Sequence, residues 1–459
     1  MKPLRKQGII LFTILALIMV ACGGSDTAEE TVEATPEVVE TLDSPAVTTA
    51  STVDTGVGVT SDPCPEVIGG IPTGADPSKG CIYLGLLNDY TGPFGPYGIP
   101  LETGQRGFWL WANQTGGVGD YSVAIVEGYD TQYNPQKHLE GYKAQRGEVA
   151  ALAMSLGTPQ TQFILDDMDA DNMIAAPMSW YSGWSYKGSD RGLVVEFGAA
   201  YCADGMNALD WAMANLPVDI KTVGVMGYAG DYGGDYAAGV TAAAEANGIT
   251  VAWEYIVPSS EFDVAQAVGL MVTKPVDAYF PAIGPTFMAQ VAGGAFQQGL
   301  TPIAMMAAPS YNDAFTAEGF ALAPLFQSGS MYLMAFVAPY EAQTPGHAAM
   351  RATLQAMGVD SGNLFLTAGW ASQHHLKGVL EAAVKGGDLT RAGIRRAAAN
   401  VSVSSDGMMP TRELGQDRAD AESFIGIPDE SQTSGIRLLS GNYVGPTAAG
   451  YDWEAGPCS

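Results

Sequence analysis

KTVGVMGYAGDYGGDYAAGVTAAAEANG, residues Lys221 to Gly248, sets the reading of the whole chain. An apolar run from Val223 to Met226 predicts a buried strand. A glycine-dense turn follows, and then an Ala-rich segment that predicts a helix. Strand, glycine turn and helix is also the order of a nucleotide-binding fingerprint. Gly227, Gly230, Gly233 and Gly234 nevertheless lack the G-x-G element, and no GK[ST] follows, so neither dinucleotide nor P-loop chemistry is encoded here. Glycine at such a turn permits positive φ and close backbone approach. The residue it displays is Tyr232, whose ring can cover an apolar ligand while its hydroxyl donates one hydrogen bond. The plainer alternative is a tyrosine packed on its own loop.

The same rhythm runs outward in both directions. Cys81 to Asn88, Tyr121 to Gly128, Val149 to Ser155 and Asn172 to Ala176 predict strands. They alternate with helices over Leu101 to Asn113, Gln136 to Gly147 and Thr161 to Asp169. The alternation restarts with helix Gly205 to Asn215 and strand Thr222 to Met226. It continues through helices at Tyr236 to Asn247, Val264 to Val272 and Pro285 to Gln298, and strands at Thr250 to Ile256, Ala278 to Ala282 and Ile303 to Ala308. Repeated βαβ units give parallel sheets covered on both faces. The expected class is therefore α/β, with two doubly wound parallel-sheet lobes. Helices over Pro345 to Met357, Thr367 to Lys385 and Leu389 to Asn400 cap one sheet, and Ser402 to Ser459 is irregular and strand-rich. Ligands of such sheets bind at turns leaving the carboxyl ends of strands. Those turns are Tyr90 to Gly98, Gly157 to Thr161, Pro177 to Trp184, Tyr228 to Asp235, Ile283 to Phe287 and Pro309 to Asn312. They carry aromatics, hydroxyls and glycine, and no basic cluster for phosphate.

Composition narrows the function. The 459 residues hold 49 Asp and Glu against 21 Lys and Arg, a field that repels nucleic acid. Lys2, Arg5 and Lys6 precede an apolar run from Ile9 to Val20 of about a dozen residues, short of the roughly 20 that span a bilayer. The following Met19-Val20-Ala21-Cys22-Gly23 resembles the bacterial lipobox, which implies removal of residues 1–22 and a lipid anchor on Cys22. An ordinary signal peptide with an incidental cysteine is the alternative. Gly23 to Asp62 has no Lys, Arg or aromatic residue. It reads as a disordered acidic tether whose about 40 residues reach roughly 35 Å. Four further cysteines, Cys64, Cys81, Cys202 and Cys458, predict two disulfides in an exported chain. Cys64 with Cys81 and Cys202 with Cys458 is one of three possible pairings. No CxxC or HxxxH spacing supports a metal site, and none is expected. No catalytic site is expected either. G-x-S-x-G is absent, His374 and His375 read as a solvated or half-packed pair on a capping helix, and Asp166, Asp167, Asp169 and Asp171 read as a solvated turn.

The strand and turn from Ile82 to Gly98, IYLGLLNDYTGPFGPYG, resemble the opening of the branched-chain amino-acid and amide receptors of bacterial ABC transporters, which are type I periplasmic binding proteins. The matching elements are Thr91-Gly92-Pro93, Tyr97-Gly98, Asn113 with Gly116-Gly117, Asp130 with Asn134-Pro135, and the loop before Tyr232. The resemblance runs from about Cys81 to the C-terminus. It implies two lobes closing on a ligand, joined by three crossovers near Phe197 to Asp204, Gln327 to Tyr332 and Val403 to Asp420. The expected division is residues 63–200 and 331–405 for one lobe and 201–330 and 406–459 for the other. Carried over residue by residue, Tyr97 and Tyr232 face the ligand from opposite lobes. Ser179 stands where those receptors hold a carboxylate, and Thr158 falls near their Ser-rich loop. Met178, Trp180, Pro285 and Ser310 complete the expected lining.

One departure matters. The family's second-lobe Glu, which pairs a ligand ammonium, is replaced in Ala308-Pro309-Ser310, so Asp204, Asp231 or Asp313 must substitute or the ligand is not an α-amino acid. Pro285, Phe287, Trp180 and Trp184 suggest a less charged pocket, suited to an amide, urea-like compound, short carboxylate or aromatic acid as well as to leucine. The resemblance implies a monomeric extracytoplasmic solute-binding protein without a cofactor, held at the membrane by lipid and working with ABC permease subunits. A sensory receptor for a membrane signalling protein is the alternative.

Overall fold

The computed structural model describes residues 53–230 and 232–458. The leader, Cys22, tether residues 23–52 and Asp231 lie outside that range. Two sheets organise the rest. The first has six strands. Gly80–Asn88 is central and pairs in parallel with Tyr121–Ile125, Tyr129–Asp130 and Ala151–Leu156, which in turn pairs with Ala175–Met178. The second has seven strands, in the order Thr250–Val257, Thr222–Tyr228, Ala278–Ala282, Ile303–Met306, Met331–Ala335, Ser423–Pro428 and Ile436–Tyr443. The first five run parallel and the last two are antiparallel. Strands buried on both faces read as the near-continuous apolar runs seen in the sequence.

Several expected boundaries move. Asp54–Thr55 pairs with Asp388–Leu389, and Val59–Thr60 pairs with Gly80–Asn88, so the chain joins the first lobe well before residue 62. Val59 is buried there, and a methyl on Gly58 would overlap the 149–150 peptide. Met331–Ala335 belongs to the second sheet, which puts the second crossover after Ala335 rather than over 327–332. The small hairpin Val401–Val403 with Arg412–Leu414 packs on helix Leu364–Lys385, which carries the first lobe on to 414. That same helix is largely buried, and with it His374 and His375, against the expectation of a solvated or half-packed pair. His374 meets the ring of Phe108 edge-on, and His375 Nδ1 lies 3.0 Å from the Glu196 carbonyl. Burial lowers both imidazoles, to about 3 and about 4.

The glycines of 221–248 serve close approach. A methyl on Gly233 would lie 2.1 Å from the Tyr228 nitrogen, so helix Tyr232–Asn247 could not meet its own strand otherwise. The same logic joins helices in pairs. Gly205 and Gly239 let helix Tyr201–Asn215 cross helix 232–247, with a methyl on Gly239 only 1.9 Å from the Cys202 carbonyl oxygen. Gly104 and Gly369 do this for helix Gly95–Gln114 against 364–385. The cysteines pair as Cys64–Cys81 and Cys202–Cys458. Among the described residues no helix is long and apolar enough to cross a membrane.

Candidate ligand-binding site

The loop residues that carry the family resemblance build a frame. Asp89 accepts the backbone N–H groups of Gly92 (2.6 Å) and Phe94 (2.9 Å), which folds the TGPFG turn over its own strand. Asp130 accepts Tyr90 N–H (3.0 Å) and the Thr91 hydroxyl (2.6 Å), so the two sequence motifs meet as one unit. Asn134 caps helix Pro135–Gln145 through Gln136 and Lys137. Held this way, the turn delivers Phe94, Tyr97 and Leu101 to one wall of a small cavity.

The other walls are Tyr133, Leu156, Gly157, Thr158, Met178, Trp180 and Phe365 from the first lobe, and Tyr201, Tyr232 and Pro309 from the second lobe and its crossover. Five of the expected residues therefore converge: Tyr97, Thr158, Met178, Trp180 and Tyr232. Tyr97 stacks on Phe365 with ring centroids 3.7 Å apart and donates its hydroxyl to the carbonyls of Tyr311 (2.9 Å) and Pro309 (3.2 Å), across the cleft. Burial, with the Asp313 charge behind it, pushes this phenol well above its ordinary value, so it stays a donor. Tyr232 is not at a loop tip. It is the first residue of its helix, 2% exposed, and its ring packs against Tyr201 (5.3 Å) and Phe94 (6.2 Å). Trp180 stacks on Phe336 at 3.3 Å and meets Phe197 edge-on at 5.0 Å.

Ser179 stands one step behind the lining. Its hydroxyl is 2.7 Å from Thr158 Oγ1 and accepts the Trp184 indole N–H at 2.9 Å. An indole only donates, so Ser179 can pass its own proton to Thr158, leaving the Thr158 hydroxyl free to donate toward the cavity. Gly157, at φ +102, makes the turn that presents Thr158.

Two expected residues do not reach the cavity. The Ser310 hydroxyl accepts Ile283 N–H (3.1 Å) and donates to the Pro281 carbonyl (3.1 Å), which ties it to its own sheet, and its neighbour Pro309 lines the wall instead. Pro285 is buried at the start of helix Pro285–Gln297. The acids considered as substitutes are elsewhere too. Asp204 is buried in the second lobe, accepts the Ser423 hydroxyl at 2.6 Å, and burial raises its carboxyl well above the ordinary value. Asp313 is not in the lining, and Asp231 lies outside the described residues. Among the described residues no side chain lining the cavity carries a charge.

Sequence reading missed Phe94, Leu101, Tyr133, Leu156, Tyr201, Pro309 and Phe365. Phe94 and Pro309 lay inside loops already singled out. Phe365 gave no signal, because it comes from a helix taken for a lobe cap beginning two residues later.

The fold matches known proteins. A fatty acid ABC transporter substrate-binding protein from Thermomonospora curvata superimposes with a TM-score of 0.77 at 24% identity, over 88% of this chain and 98% of its own. A branched chain amino acid ABC transporter structure from Thermus thermophilus with bound valine gives 0.66 at 14% identity, over 80% and 98%. A solute binding protein from R. palustris in complex with 4-hydroxybenzoate gives 0.64 at 14%, over 80% and 98%. No curated protein matches the chain. The family model described as periplasmic binding protein matches residues 81–423, and the chain belongs to that family.

Proposed function

We propose that this chain is the extracytoplasmic solute-binding protein of an ABC importer, and that its ligand is a small, mostly apolar molecule with an oxygen acceptor and no ammonium group. The observation that carries the reading is the cavity wall: mostly aromatic rings, a hydroxyl at Thr158 that can donate, and, among the described residues, no charged side chain. Enclosing an ammonium there leaves it desolvated without a counter-ion, a cost of several kcal/mol. A carboxylate or amide oxygen meets a donor instead, and the apolar body meets rings. The ligands named for similar structures, a fatty acid and 4-hydroxybenzoate, share this chemistry, and valine lacks it only in its ammonium.

A thermal-shift screen tests the reading, because a ligand that binds only the folded form at 100 times its Kd stabilises it by about 2.7 kcal/mol. Octanoate, 4-hydroxybenzoate and benzamide are expected to raise the melting temperature more than valine or leucine does. A preference for the amino acids refutes it. The lobe division, a monomeric state and delivery to permease subunits belong to the same proposal. So does a lipid anchor on Cys22, for which Cys22→Ser should release the protein from membranes.

A further inference from the structure

The two lobes meet at one more built contact, away from the cavity lining but attached to both its walls. Ser182 follows Trp180 by two residues in the first lobe. Asp235 follows Tyr232 by three in the first turn of the second lobe's 232–247 helix. Asp235 is 1% exposed and Ser182 fully buried. The carboxylate accepts Ser182 N–H (2.9 Å) and Ser182 O–H (2.6 Å) from the opposite lobe, and Cys202 N–H (3.2 Å) from its own. The Ser182 hydroxyl in turn accepts Cys458 N–H at 3.0 Å, and Cys458 is bonded to Cys202. The C-terminal segment is also gripped at Trp453, whose carbonyl accepts the Tyr186 hydroxyl at 2.6 Å.

We infer that Asp235 is a positioning residue for ligand capture: it latches the closed lobes through Ser182, and the Cys202–Cys458 disulfide holds the C-terminal segment that seats Ser182 for it. This rests on reading the chain as a protein that closes on a ligand. Parting the lobes breaks both Ser182 bonds to a carboxylate but leaves the Cys202 bond in place. Charge-assisted hydrogen bonds in a dry interface are the strong ones, so the latch biases the lobes toward closure before any ligand contact is counted. The ring walls supply shape, and the latch sets how long the walls stay together.

The test compares wild type with Asp235→Asn, Ser182→Ala and the double variant Cys202→Ala/Cys458→Ala. Amide exchange at Ser182 and the radius of gyration from X-ray scattering are read without ligand, and octanoate affinity is read by calorimetry. Each variant is expected to speed Ser182 exchange and weaken octanoate about tenfold, with scattering shifted toward an open form. Ser182→Ala keeps the Ser182 N–H bond to Asp235 and gives up only the hydroxyl's bonds to Asp235 and from Cys458 N–H, so it answers even if Asp235→Asn folds poorly. Unchanged exchange and scattering in Ser182→Ala and in the double variant overturn the latch, whatever octanoate does. If octanoate binds no variant, wild type included, while exchange and scattering shift as expected, the latch stands and the ligand class fails.

Discussion

Replacing Arg412 with Met isolates the charge cluster where two crossovers meet. The Arg412 side chain is 4% exposed and pairs with Glu196, just ahead of the first crossover, and with Asp420 in the third. It also donates to Ser185 Oγ at 3.2 Å. Burial works against its charge, but Glu196 and Asp420 outweigh it and raise the guanidinium above its ordinary value. The Met variant fills the space of the stem and leaves Glu196, at 11% exposure, without its counter-ion. Breaking a buried pair in this way costs about 3–5 kcal/mol. Asp420 is a third exposed and rehydrates, so the lower end, about 3 kcal/mol, is expected. Equilibrium denaturant unfolding should show this loss. Adding Glu196→Gln in the Met background should recover most of it, because the stranded charge is then gone. Arg412→Lys should fall between, since a point charge cannot span both acids as the fork does. A loss under about 1 kcal/mol, or further destabilisation on adding Glu196→Gln, would refute the account.

Tyr97→Phe keeps the stack on Phe365 and removes only the bridge to the second lobe, so ligand affinity should fall by about 0.5–1.5 kcal/mol with the melting temperature nearly unchanged. Tyr97→Ala should also lower stability by about 3–5 kcal/mol, because the ring is core, and a variant that loses binding alone would show that it is not. Burial holds His138 and His374 at about 3 and His347 and His375 at about 4, so the folded state stays neutral where the unfolded chain gains protons below its ordinary value near 6.5. Stability should therefore fall as pH drops from 6.5 toward 4, steeply, and a flat calorimetric profile over that window would contradict the burial of these rings. Gly239→Ala should destabilise by about 1–3 kcal/mol through its clash with the Cys202 carbonyl, whereas Gly234→Ala, which faces open space on the same helix, should be neutral or stabilising by melting temperature.

The succession of strands as far as residue 308 could be read from the chain because each buried strand is a run of apolar residues set between turns. Helix starts could not. The 95–114 helix opens with Gly95-Pro96-Tyr97-Gly98 and the 232–247 helix with Tyr232-Gly233-Gly234, and both openings look like loop. Proline suits a first turn, where its missing N–H is not needed, and glycine is tolerated where packing demands it. So Tyr97 and Tyr232 were found as loop tips although they are helical and buried. The pairing of 59–60 onto 80–88 was hidden because a two-residue strand has no period.

The missing acid at Ser310 could be read by comparison of types alone, yet what replaces it is spread over segments far apart in sequence. Trp180 shows why no local pattern could reveal the site's working. Its indole is at once a wall of the cavity and a partner of Phe336 and Phe197, which lie in the second and first crossovers. A ligand that presses on this ring meets the hinge directly, without an intervening element. If the lobes close on a ligand as proposed, occupancy and closure share this side chain. Phe336 stacks on the ring and Phe197 meets it edge-on, which holds the indole in place. On the proposed function, a ring held in this way favours ligands with an apolar face.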